Sequence, residues 1–94
     1  MRRYEPHILP AAAERIRHLQ PDLKRGIREA IRAIADDPSC GEPLKRELHG
    51  YLKYKVRRFR IVYRVDRPTR VVQILAVGHR RTIYEEVAEQ IRRR

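Results

Sequence analysis

The spacing of apolar residues changes period once along this chain, and that change limits the fold more than any other feature. Leu23, Ile27, Ala30, Ile31 and Ile34 recur every three to four residues, the repeat that gathers one face of an α-helix. From Leu52 the period is two. Leu52, Tyr54 and Val56 alternate with Lys53, Lys55 and Arg57; Phe59, Ile61, Tyr63 and Val65 then alternate with Arg60, Val62, Arg64 and Asp66. Such alternation describes half-buried strands. Helices followed by strands on short turns predict an α+β chain with an antiparallel sheet.

The punctuation fills in the rest. Tyr4 to Leu9 predicts a short strand, with Pro6 sending it to a sheet edge or an irregular start. Pro10 suits the first turn of a helix, although Leu9 before it is a poor N-cap. Ala12, Ile16 and Leu19 share one face of that helix. Pro21 opens a second helix, Asp22 sits near its positive end, and Asp36-Asp37-Pro38 stops it. So short a link makes the pair an αα-hairpin. Residues 38–50 read as a loop with Leu44 and Leu48 tacked onto the core. Tight turns at Arg57-Arg58 and Asp66-Arg67-Pro68-Thr69 separate the strands, and Val71 to Val77 is apolar enough to be central before Gly78 closes it. From about Thr82, Ile83, Val87 and Ile91 mark a last helix, whose glutamates precede Arg92-Arg93-Arg94 as the helix dipole favours. Its stripe is narrow, which predicts a weakly held helix. The reading is an N-terminal strand, a helical hairpin, a three-stranded antiparallel meander and a short C-terminal helix, in one domain over residues 1–94.

Charge points to the partner. The net charge is +11, and residues 51–94 carry thirteen bases against four acids, whereas the first fifty carry ten against eight. An excess concentrated in one half reads as a polyanion-binding surface, with nucleic acid the leading class. No apolar run reaches the roughly 20 residues a bilayer span needs, which argues against a membrane protein. Basic residues at the N-terminus lack a following apolar stretch, so no signal peptide is expected. Cys40 is the single cysteine, and four scattered histidines give no zinc spacing; no metal or other cofactor is expected. A cytoplasmic location fits this set.

Alternation puts Lys53 and Lys55 on one face of a strand, about 7 Å apart. In a hairpin, Arg60 and Arg64 project from the same face, and Arg80 and Tyr84 follow the third strand of the meander. The plainer reading is the solvated outer face of an antiparallel sheet. Against it stands the economy of lysine: four in the chain against nineteen arginines, yet two of the four alternate here. A lysine amine among other cations can give up its proton, which an arginine in practice cannot. Cleavage of RNA at its 2′-OH needs a base, cations for the charge growing on the phosphorane, and an acid for the leaving 5′-oxygen. Lys53 or Lys55 suits the first role, Arg60 and Arg80 the second, and Tyr84 can stack on an unpaired base or share in proton transfer. His79 is read as a structural hydrogen-bonder, and Glu47 as a partner for a neighbouring arginine.

The segments Leu44-Lys45-Arg46-Glu47-Leu48-His49-Gly50-Tyr51, Lys53-Tyr54-Lys55-Val56-Arg57, Phe59-Arg60-Ile61-Val62-Tyr63-Arg64-Val65-Asp66 and Ala76-Val77-Gly78-His79-Arg80-Arg81, with Tyr84-Glu85, resemble the RelE/ParE superfamily of toxins from toxin–antitoxin systems. The resemblance runs through nearly the whole chain and implies the compact RelE-like fold. RelE-type members are ribosome-dependent ribonucleases that cut mRNA in the decoding site without a metal. By that resemblance Lys53 and Lys55 match the strand lysines, Arg60 the phosphate-binding arginine, Arg80 the arginine of the transition state or leaving group, and Tyr84 the tyrosine that orients the substrate. Arg57, Arg64 and Arg81 are expected to add RNA contacts. The turn Arg57-Arg58 departs from the Gly-Asp common in relatives. The implied partners are the ribosome, mRNA and a RelB-like antitoxin, in a hetero-oligomer that neutralises the basic surface, with the C-terminal helix as the segment displaced. Two alternatives stay open: a ParE-like DNA gyrase inhibitor without nuclease activity, and a non-catalytic RNA-binding module.

Overall fold

Pro10 and Pro21 each occupy the first turn of a helix in the computed structural model, which describes residues 3–93. Neither Leu9 nor Gln20 caps with its side chain, so proline's fixed φ sets both starts. Among the described residues the order is β1 (Glu5–Ile8), α1 (Pro10–Arg17), α2 (Pro21–Asp36), β2 (Glu42–Pro43), β3 (Leu52–Val56), β4 (Phe59–Asp66), β5 (Val71–His79) and α3 (Ile83–Arg92). The strands form one sheet in the order β1-β5-β4-β3-β2. β1 runs parallel to β5, and the other neighbours are antiparallel. Pro6 therefore lies in an edge strand, where its missing N–H costs no ladder bond on the open side.

The helical and two-residue periods meet on one side of the sheet. Ala12 and Ile16 of α1 and Ile27, Ala30, Ile31 and Ile34 of α2 pack on Ile61, Tyr63, Val72, Ile74 and Val77. Ile27 and Ile34 are wholly buried, and each such side chain contributes about 1.5–3 kcal/mol. The other side is covered by α3, whose Ile83, Val87 and Ala88 pack with Leu48, Val62, Leu75 and Ala76. A β-bulge makes this possible: Val62 pairs with Ala76 but Tyr63 pairs with Ile74, so the extra residue Leu75 joins Ala76 under α3.

Two glycines allow close approach. A Cβ on Gly78 would stand 2.7 Å from Ile83 Cδ1, so α3 rests directly on β5. A Cβ on Gly41 would collide with the Tyr63 hydroxyl and lie 2.7 Å from the Lys53 carbonyl oxygen. The buried Tyr63 hydroxyl donates to the Pro38 carbonyl (2.7 Å) and accepts from the Gly41 N–H (3.0 Å), pinning that segment to the sheet. Burial keeps the phenol well above its ordinary pKa, so it remains a donor.

Two sequence expectations change. Residues 38–50 are not all loop: Glu42 and Pro43 form a short strand, Glu42 opposite Lys53 and Pro43 opposite Leu52. Two residues bounded by Gly41 and Leu44 have no period to detect. α3 is also better seated than its stripe predicts, because Ile83 and Val87 are fully buried and Arg15 of α1 reaches Glu86 at 3.5 Å. No helix of the described residues is long and apolar enough to cross a membrane.

Candidate active site

Strand alternation and hairpin register together assemble a cationic cluster. Lys55 faces Arg60 and Lys53 faces Val62 across the β3–β4 ladder, and directly opposed residues share a face. That face is the one α3 covers, because Val62 packs under α3 while Tyr54, Ile61 and Tyr63 belong to the α2 side. Lys53, Lys55 and Arg60 thus emerge together beside the start of α3. Arg60 also pairs with Gly78, two residues before Arg80.

Each side chain is held differently. Lys53 is partly covered, its amine 5.8 Å from the centre of the Tyr84 ring and 3.7 Å from Glu42 Oε1. Lys55 is exposed. Arg60 folds back over the β3–β4 turn, its Nη1 donating to the carbonyls of Phe59 (2.8 Å) and Arg57 (3.1 Å). Guanidinium carries five N–H donors, so this clamp fixes its plane and leaves other donors for an anion. Arg57 adopts a positive φ of 55° to make the turn. Arg80 is anchored through its backbone, the N–H donating to the Arg58 carbonyl at 2.7 Å, and its side chain is exposed. Tyr84 lies in the first turn of α3, half-buried.

The sequence-read residues do not all converge. Lys53, Lys55, Arg60 and Tyr84 share the α3 face, and Arg80 is pinned to the turn at its end. Arg57 sits at the tip of that turn, close to Leu23 and Asp22 of α2, with which it lines a cavity of about 320 Å³. Arg64 shares the face of Arg60 but stands about 13 Å further along β4, opposite Gln73 and beyond the α3-covered Val62. Arg81 is exposed, its N–H donating to His79 Nδ1 at 3.2 Å. His79 itself packs edge-on against Phe59, ring centres 6.0 Å apart, in the structural role read for it. Glu47 does meet an arginine, Arg92, at 3.9 Å.

Glu42 was not legible as a site residue. Its place beside Lys53 comes from the β2 pairing, and no motif announces it. Glu42, Lys53 and Lys55 line one cavity of about 240 Å³ with Cys40 and Tyr54. The Cys40 thiol there is raised above its ordinary pKa by burial and by Asp37, so it stays protonated at neutral pH. Tyr84 also borders a second groove of about 500 Å³, between α3 and the turn carrying Lys45 and Leu48. Chemically the cluster offers two amines, a clamped guanidinium and an aromatic face, a set suited to a phosphodiester beside an unstacked base.

Comparison with known proteins finds relatives of the whole fold. Residues 8–84 match the family described as the ParE toxin of the type II toxin–antitoxin system parDE. Toxin RelG of Mycobacterium tuberculosis is 43% identical over 83 residues, covering 86% of this chain and 95% of that protein. Among solved structures, the toxin–antitoxin complex RelBE2 of M. tuberculosis superposes with a TM-score of 0.78 at 29% identity, covering 85% of this chain and 94% of that one. A mutant of the E. coli toxin RelE in the free state gives a TM-score of 0.79 at 21% identity, covering 96% and 99%. That last likeness is one of fold.

Proposed function

This chain belongs to the RelE/ParE superfamily of toxins from type II toxin–antitoxin systems, and from that premise we propose that it is a ribosome-dependent endoribonuclease that cleaves mRNA in the ribosomal A site and so inhibits translation. The observation that carries the reading is the shared face of Lys53, Lys55 and Arg60, with Tyr84 beside Lys53.

The chemistry is a transesterification within the RNA. The 2′-oxygen attacks the adjacent phosphorus, the P–O5′ bond breaks, and the products carry a 2′,3′-cyclic phosphate and a 5′-hydroxyl. One of Lys53 and Lys55 takes the 2′-OH proton or supports the group that does. Arg60, already oriented by the Phe59 and Arg57 carbonyls, holds the phosphate and meets the charge that develops on it. Arg80 stabilises the negative charge on the departing 5′-oxygen, which takes its proton from solvent. Tyr84 stacks on the base next to the scissile bond, and Arg57 and Arg81 add contacts to the flanking backbone. These groups need no metal or cofactor. The ribosome supplies what an open cationic surface lacks, an mRNA held in a near-attack geometry.

The partner class follows from the same charge. A RelB-like antitoxin neutralises the basic face in a hetero-oligomer, as a toxin–antitoxin complex is the state of the M. tuberculosis RelBE2 structure. The reaction belongs in the cytoplasm, where translating ribosomes are. Growth arrest on induction, followed by mapping of mRNA ends, tests the reading: breaks within codons of translated messages support it, and intact messages refute it.

The family description favours one second reading, a ParE-like inhibitor of DNA gyrase. Inhibition of supercoiling at stoichiometric toxin, with mRNA left whole, would establish that instead.

A further inference from the structure

His79 is the last residue of β5, and the three amides that follow it all have fixed acceptors. The Arg80 N–H donates to the Arg58 carbonyl at 2.7 Å, and the Thr82 N–H to the His79 carbonyl at 3.1 Å. Between them, the Arg81 N–H donates to Nδ1 of the His79 ring at 3.2 Å. The ring is itself held: Phe59 lies directly opposite His79 in the ladder and packs against it edge-on, the planes 72° apart. A side-chain acceptor that takes the N–H two residues on closes the turn that asparagine or aspartate closes in an Asx-turn.

Arg80 sits inside this turn and depends on it more than Arg60 depends on its own. The plane of Arg60 is set by bonds from its guanidinium to the Phe59 and Arg57 carbonyls. Among the described residues no hydrogen bond or ion pair holds the exposed Arg80 guanidinium. Its direction off the end of β5 therefore follows from the main chain of residues 79–82. Thr82 adds no side-chain cap at the start of α3. Among the described residues the His79 ring is thus the one side chain bonded to the amides of this turn. The bond also restricts the ring. Nδ1 accepts only when it carries no proton, so the imidazole is neutral with its proton on Nε2. An imidazolium donates from both nitrogens and would release the Arg81 amide. Packing on Phe59 sets no such condition, since any ring of that size could provide it.

We infer that His79 is a positioning residue for Arg80: its Nδ1 fixes the 79–82 turn, and with it the direction in which the Arg80 guanidinium meets the departing oxygen. The catalytic half of this inference rests on the ribonuclease reading; the turn does not.

Three variants of the full chain test it. His79→Phe keeps a ring against Phe59 and removes the acceptor. His79→Gln carries its amide one methylene too far out to close the turn. His79→Asn restores an acceptor where Nδ1 stood, in a turn that asparagine favours. Without RNA, exchange of the Arg81 amide accelerates about 2- to 12-fold in the Phe and Gln variants, the share of one neutral hydrogen bond. It stays near the wild-type rate in the Asn variant, and nitrogen-15 spectra of the wild-type ring show the Nε2–H tautomer. On programmed ribosomes, single-turnover cleavage at saturating toxin falls about 10- to 100-fold in the Phe and Gln variants, the cost of a misplaced group. The half-saturating toxin concentration changes little, and His79→Asn recovers most of the loss. Added to Arg80→Ala, His79→Phe causes no further loss, because it acts through that arginine. An Nδ1–H tautomer in the wild type, or an Arg81 amide that exchanges alike in all four proteins, overturns the inference at the turn. Equal cleavage by wild type and His79→Phe, or a further loss on top of Arg80→Ala, overturns the positioning role and leaves the ribonuclease reading standing. Wild-type protein that shows the amide pattern and leaves mRNA whole refutes the ribonuclease reading, and with it the catalytic half, but not the turn.

Discussion

Lys53 and Tyr84 meet across the gap between β3 and α3, the amine 5.8 Å from the centre of the ring. The contact joins the two structural periods of the chain at one point, a strand position set by alternation and a helix position set by the first turn of α3. Among the described residues it is the one cation–aromatic contact of the candidate site. A cation over a ring at an exposed site contributes about 0.5–1 kcal/mol. Its larger use is to hold the ring where a base can stack.

Replacing Tyr84 separates stacking from proton transfer. Tyr84→Phe keeps the ring and is expected to retain most cleavage. Tyr84→Ala loses a stacking platform worth about 1–3 kcal/mol per base, so single-turnover cleavage on programmed ribosomes falls about 5- to 150-fold. Equal losses in the two variants would move the role to the hydroxyl.

Tyr63 is the buried latch of the β2 segment. Tyr63→Phe leaves the Pro38 carbonyl and the Gly41 N–H without their partner, at a cost of about 1–3 kcal/mol. Thermal unfolding should shift down by about 4–8 °C for each kcal/mol. Hydrogen exchange at Gly41 should accelerate in the same variant, because that amide is otherwise held by the hydroxyl.

The turn Arg57-Arg58 stores strain at a position where φ is 55°. Arg57→Gly removes a Cβ penalty of about 1–2 kcal/mol, offset in part by glycine's extra freedom when unfolded. The expected result is a melting temperature equal to or a few degrees above the parent. The Arg57 carbonyl that holds Arg60 is a backbone group and survives the change. RNA binding weakens, because a cation is lost at the tip of the turn.

The last turn of α3 is expected to respond to acid. Hydrogen bonds from Arg92 and Arg93 lower the Glu89 carboxyl below its ordinary value of 4.5. A depressed folded value means the stabilisation is fully present above the unfolded value. It is lost as pH falls below 4.5 and through the folded value. Amide exchange in the 89–93 turn, corrected for intrinsic rates, should show loosening in that window. Glu89→Gln should loosen the same turn at neutral pH and remove the dependence.

How far the sequence carries depends on whether a feature is periodic. The α2 stripe and the β3 and β4 alternations are local repeats, so the helix, the hairpin and the common face of Lys53, Lys55 and Arg60 could all be read from spacing. Glu42 and Pro43 could not, because a two-residue strand has no repeat and exists only through its pairing with β3. The firm seating of α3 depends on Leu48 and Leu75, distant from it in sequence, and on the close approach to β5 that Gly78 allows, none of which the spacing of Ile83, Val87 and Ile91 reports. Arg64 shows the reverse limit: alternation reports which side of a sheet a residue faces and says nothing of distance along the strand. The Arg60 clamp needs the carbonyls of a specific turn geometry, and residue types alone do not specify it.

The central claim is that the cluster on the α3 face, with Arg80 at its edge, breaks a ribonucleotide linkage. Primer extension on ribosomes programmed with a defined mRNA compares the wild-type toxin with a Lys55→Ala, Arg80→Ala variant. Both substituted side chains are exposed, so the variant should fold, which its melting curve will check. The account predicts A-site cleavage by the wild type, ends bearing a 2′,3′-cyclic phosphate and a 5′-hydroxyl, and a loss of at least about 100-fold in the variant. Cleavage by the two proteins at the same rate would contradict it.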